Sequence, residues 1–90
     1  MGYEYRLQLD LPSRAQVDKL LRGIVGFEKF SEEFELYSFR RESTGVMPDV
    51  DAKIEASGIY LCSYGGSFDL VTEIQAAFAA IGLHAELVEL

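Results

Sequence analysis

The hydrophobic period of this chain switches from two to about 3.6 and back, and it does so twice. Tyr3, Tyr5, Leu7, Leu9 and Leu11 alternate with Glu4, Arg6, Gln8 and Asp10, the pattern of a strand with one wet face, and Pro12 ends it. Ser13 and Gln16 stand as a capping box before Val17, Leu20, Leu21 and Ile24, which fall at i, i+3, i+4 and i+7 of an amphipathic helix. Gly23 and Gly26 are its stop signals.

The middle of the chain is strand-rich. Residues Phe27 to Glu33 read as a loop with Phe27 and Phe30 tucked under, and Phe34 to Arg41 as a strand. Glu42 to Asp49, with Gly45 and Pro48, is the longest loop. Val50, Ala52, Ile54 and Ala56 alternate with Asp51, Lys53 and Glu55, and strand character resumes from Ile59 to Tyr64. Ser57-Gly58 between them admits two readings. As a hairpin turn it would pair Ala56 with Ile59 and Ile54 with Leu61. As a glycine bulge it would leave one long strand, since the apolar parity shifts by one across it.

Gly65-Gly66-Ser67 makes a second sharp turn, with Ser67 as helix cap and Asp69 in the first turn. Leu70, Val71, Ile74, Ala77, Phe78 and Ile81 form one helical stripe stopped by Gly82, and Leu83 to Glu89 alternates as a closing strand. Ninety residues make one domain, 1–90. The bulge reading gives βαββαβ, and the hairpin reading adds a strand around Ser57-Gly58. Right-handed crossovers then place both helices on one sheet face. This element order resembles the ferredoxin-like split βαβ fold, a two-layer α+β sandwich, over essentially the whole chain. The resemblance is one of order and implies no activity.

The related families fail on their own residues. RNA-recognition domains need a basic, aromatic third-strand motif, but Ile59-Tyr60-Leu61-Cys62-Ser63-Tyr64 has no Lys or Arg. Hydrolases of the acylphosphatase type need an Asn, and the chain has none. Ferredoxin proper needs four cysteines, and Cys62 stands alone.

The net charge of −7 opposes binding to nucleic acid. The eight basic residues all lie between Arg6 and Lys53, so the second half is an uncompensated acidic surface suited to a basic partner. A single cysteine, no apolar run of membrane-span length and no secretory signal at Met1-Gly2-Tyr3-Glu4 point to a cytoplasmic protein without membrane attachment. Gly2 is no myristoylation signal, because Arg6 stands where Ser or Thr is needed.

A two-layer fold leaves one sheet face uncovered. Strand parity predicts Leu7, Leu9, Leu36, Ile54, Leu61, Ala85 and Leu87 under the helices. It places Arg6, Gln8, Tyr37, Phe39, Tyr60, Cys62, Tyr64, His84 and Glu86 on the open face, with Glu4, Arg41 and Val88. That face is the candidate binding surface, too aromatic for plain solvent and too polar for a core. Cys62 and His84 would share it as thiol and imidazole. However, the first strand would separate theirs by roughly 9–10 Å, beyond the reach of a general base.

Three smaller features are explained without a ligand. Gly65-Gly66-Ser67 lacks the Lys of a phosphate loop. Asp49 and Asp51 alone make no cation cage. Arg40-Arg41 has Glu33, Glu35 and Glu42 nearby to occupy it. The outer side of the second helix carries Ala76, Ala79 and Ala80 where charge is usual; high helix propensity accounts for them, although small side chains also permit close approach.

The sequence therefore predicts no catalytic residues, metal or cofactor. It predicts a non-enzymatic interaction module, of immunity, inhibitor or adaptor character, that binds a protein partner through the open face. The alternative is a homodimer with face-to-face sheets that enclose a small-molecule site, binding or enzymatic, touched by Arg6, Tyr60 and His84.

Overall fold

The computed structural model describes residues 3–64 and 68–90. Met1 and Gly2 lie outside the described residues, as does Gly65-Gly66-Ser67 with its expected turn and cap. The chain runs β1 (Tyr3–Gln8), α1 (Arg14–Arg22), β2 (Phe27–Ser31), β3 (Leu36–Phe39), β4 (Val50–Glu55), β5 (Gly58–Ser63), α2 (Phe68–Ala80) and β6 (Glu86–Glu89). Six strands form one antiparallel sheet in the order β2-β3-β4-β5-β1-β6, and both helices pack on the same face of it. The architecture is α+β, as expected, but the six-element order is replaced by βαββββαβ.

Two hairpins account for the difference. Between β4 and β5 the chain turns at Ala56-Ser57, one residue before the expected place, so Glu55 pairs with Gly58, Ile54 with Ile59 and Ala52 with Leu61. Gly58 is needed there because β1 passes too close for a side chain: a Cβ would lie 1.9 Å from the Leu7 carbonyl oxygen. The second hairpin is new. Phe27 to Ser31, expected as loop, is strand β2, and it pairs with β3 across a bulge between Phe27 and Lys29. The extra residue puts Phe27 and Phe30, three apart in sequence, on the same helix-side face, which hides the period-two signature.

The core lies between the sheet and the helices. Val17 and Leu21 of α1 and Leu70, Val71, Ile74 and Phe78 of α2 meet Leu7, Val50, Ala52, Ile59 and Leu61, all essentially inaccessible. Each large side chain so buried contributes roughly 1.5–3 kcal/mol.

Helix ends follow local chemistry. Ser13 Oγ accepts from the Gln16 N–H at 3.2 Å at the start of α1. At the end of α2, Gly82 adopts φ +83° while Leu83 N–H donates to Phe78 O and Gly82 N–H to Ala79 O, the paired bonds of a Schellman stop. Among the described residues, no helix is long and apolar enough to cross a membrane.

Candidate functional site

The face opposite the helices is built in rows across the strands. One row runs Lys29, Ser38, Asp51, Cys62, Glu4, from β2 through β3, β4 and β5 to β1. The next runs Ser31, Leu36, Lys53, Tyr60, Arg6, Val88, and a third contains Glu55, Gly58, Gln8 and Glu86. Along β5 the side chains Tyr60 and Cys62, continued by Tyr64, form a half-buried column at the middle of this face.

Carboxylates flank the column on both sides. The Tyr60 hydroxyl donates to Glu4 on β1, and the Tyr64 hydroxyl donates to Asp51 Oδ2 on β4 at 3.0 Å. Asp51 Oδ1 also accepts from Ser38 Oγ at 2.8 Å. Arg6 Nε donates to Glu55 Oε1 at 3.1 Å, and both groups are about one-third exposed.

These contacts fix the protonation state of the phenols. The Glu4 carboxylate, and then burial, push the Tyr60 hydroxyl above its ordinary range. Burial first, then Cys62 and Asp51, do the same to Tyr64. Tyr60 and Tyr64 are therefore neutral hydrogen-bond donors held by the carboxylates of Glu4 and Asp51.

The expected residues fall into three groups. Arg6, Gln8, Tyr60, Cys62, Tyr64 and Glu86 stand on this face, with Glu4 and Val88. His84 is exposed but precedes β6, so it does not share a strand with Glu86. Tyr37 and Phe39 are on the opposite face, 1% and 0% exposed, paired with Ala52 and Val50 under the helices, while Leu36 takes the open side opposite Lys53. The segment Phe34 to Phe39 carries apolar residues at both parities, so alternation alone could not orient it. Arg41 also leaves the open face, with its guanidinium donating to Glu73 of α2 and to the Val25 carbonyl.

Asp51, Ser38 and Glu55 belong to the face and were missed. The alternation of Asp51, Lys53 and Glu55 was legible; what was lacking was the register that brings it beside β5.

The other candidate clusters are internally occupied. Arg40 pairs with Glu28 and donates to the carbonyls of Ser43, Gly45 and Val46, so neither arginine of the pair uses the expected Glu33, Glu35 or Glu42. Asp49 Oδ2 accepts from the N–H groups of Arg41, Glu42 and Ser43 at 2.6, 2.9 and 3.2 Å. No group of three metal-ligating side chains occurs among the described residues. Strand β1 lies between the strand of Cys62 and β6, which keeps His84 away from the thiol. The face presents aromatic rings, hydroxyl donors and carboxylates in fixed positions.

No protein-family model, no curated protein and no solved structure matches this chain.

Proposed function

We propose that this chain is a small acidic, non-enzymatic interaction module that covers a basic surface of another protein with its open sheet face, as an inhibitor, immunity protein or adaptor does. The observation that carries the reading is the Tyr60-Cys62-Tyr64 column with Glu4 on one side and Asp51 on the other. A guanidinium or ammonium group laid on a tyrosine ring gains a cation–π contact and meets a carboxylate at the ring's edge. The net charge of −7 draws such a partner in from a distance.

Two finer readings accompany this one. The fold is taken as an elaborated ferredoxin-like domain. What supports it is that β4, β5, β1 and β6 are contiguous in the sheet, joined through α1 and α2, with the β2–β3 hairpin added at one edge. A reducing cytoplasm is taken as the site of action, because the free thiol of Cys62 sits within the proposed contact surface.

The test is binding of an arginine-rich peptide, followed by fluorescence anisotropy at rising salt. Replacing Tyr60 and Tyr64 together with Ala should weaken binding about tenfold or more, as loss of central aromatic contacts does. Asp69→Asn with Glu89→Gln, away from the face, should change it little. A loss from the carboxylate pair with none from the tyrosine pair would reduce the effect to net charge and sink the site.

A further inference from the structure

The helix layer has its own unfilled surface. Between α1 and α2, on the side away from the sheet, lies a groove of about 450 Å³ with a floor of Leu20, Ile24, Ala77 and Ile81 and with Gln16 and Lys19 on its rim. Ile81 is 47% exposed and the adjoining Val25 76%. Lys19 is the only charged group lining this groove among the described residues. It makes no ion pair among them, whereas Arg6, Arg14, Arg22, Arg40 and Arg41 are each paired.

The same molecule carries a surface of matching chemistry. The outer ridge of α2 is acidic towards its N-terminal half, with Asp69 and Glu73, and then continues as exposed Ala76, Ala79 and Ala80. No Lys or Arg occurs anywhere in α2. Such a ridge fits a shallow apolar groove with one cation on its rim: methyl side chains let the helix approach closely, and the Asp69 carboxylate meets the ammonium, Glu73 being held by Arg41.

We propose that α2 of a second copy of this chain seats in the groove between α1 and α2, and that the exchange is reciprocal, giving a twofold-symmetric dimer through the helix layers. A surface bearing both the groove and the ridge that fills it is self-complementary, as a twofold interface requires. The dimer covers Ile81 and the α2 alanines and gives Lys19 a counter-charge. It leaves the open sheet face available, so it does not depend on what that face binds.

Sedimentation equilibrium of the chain from micromolar to millimolar concentration tests this. The expected mass is twice the monomer's 10.1 kDa. Ala76→Arg, at an exposed position that adds no strain to the fold, should return the mass to 10.1 kDa with an unchanged helical circular-dichroism signal. Lys19→Glu should raise the dissociation constant by about tenfold or more, and Tyr60→Ala should leave it unaltered. A monomer at millimolar concentration overturns the proposal. So does a dimer that survives Ala76→Arg, or one that Tyr60→Ala abolishes, which would place the contact on the sheet faces.

Discussion

The Tyr37 hydroxyl, at the end of a side chain 1% exposed, donates to Asp18 Oδ1 on α1 at 2.5 Å. A tyrosine can be buried in a core when its hydroxyl finds an acceptor. Asp18 is itself held by Arg22 Nε, 3.0 Å from each carboxylate oxygen. The Arg22 guanidinium in turn lies 5.5 and 5.4 Å over the rings of Phe27 and Phe30. One chain of contacts thus fastens α1 to the β2–β3 hairpin and explains why Tyr37 turns away from the open face.

Tyr37→Phe should lower stability by about 1–2 kcal/mol at neutral pH, the contribution of a hydrogen bond to a charged group on the edge of a core. The Tyr37 hydroxyl first, and Arg22 next, hold the Asp18 carboxyl below its ordinary value of 3.8. A group depressed in the folded state stabilises above its unfolded value, and that contribution is lost as pH falls through the folded one. The difference between wild type and Tyr37→Phe in urea unfolding should therefore hold at neutral pH and shrink below about pH 4. A difference that does not change with pH would mean that the bond is not what depresses Asp18.

Alkaline conditions should destabilise the protein through three phenols. Burial, and then Asp18, push Tyr37 up to about 12, and Tyr60 and Tyr64 are raised as well. A raised value favours the folded state below the unfolded value, near 10.0, and the advantage fades as pH rises towards the folded one. Stability should fall between about pH 10 and 12, with the tyrosinate absorbance of these residues appearing together with unfolding. Ionisation of all three near pH 10 in a folded protein would contradict the hydrogen bonds described.

Gly58→Ala should cost roughly 2–3 kcal/mol, the upper range for forced overpacking. The new Cβ would meet the main-chain oxygen of Leu7 at 1.9 Å, and backbone has no rotamer with which to give way. The measurement is a urea midpoint, together with amide exchange along β1 and β5. A variant as stable as wild type would mean that these strands separate easily.

Asp49→Ala should loosen the loop from Arg40 to Pro48. The carboxylate satisfies three consecutive N–H groups, so its removal should cost about 2–4 kcal/mol. Asp49→Asn keeps one acceptor oxygen and should cost less. Faster hydrogen exchange at Arg41, Glu42 and Ser43 is the direct readout, and unchanged protection there would show that the loop holds without the carboxylate.

Alternation from Tyr3 to Leu11 and helical spacing at Val17 to Ile24 and Leu70 to Ile81 located β1, α1 and α2, because each repeats one period without a break, although β1 ends at Gln8, three residues before the alternation does. The orientation of β3 was not legible. Leu36 and Tyr37 are both good core candidates, and the choice depended on Asp18, distant in sequence, supplying an acceptor for the Tyr37 hydroxyl. Strand β2 was obscured by its bulge. On the candidate face, Tyr60, Cys62, Tyr64 and Arg6 were readable by parity, whereas Asp51, Ser38 and Glu55 became neighbours only through pairing.

The sequence by itself determined the class of the fold, the period of most elements and the acid surplus, because these depend on residues near one another or on simple sums. Tertiary structure alone decided the six-strand order, the turn at Ala56-Ser57, the burial of Tyr37 and Phe39 and the carboxylates beside the tyrosine column. Each of those depends on which distant strand supplies a hydrogen-bond partner or a packing surface, and local periodicity carries no record of that choice.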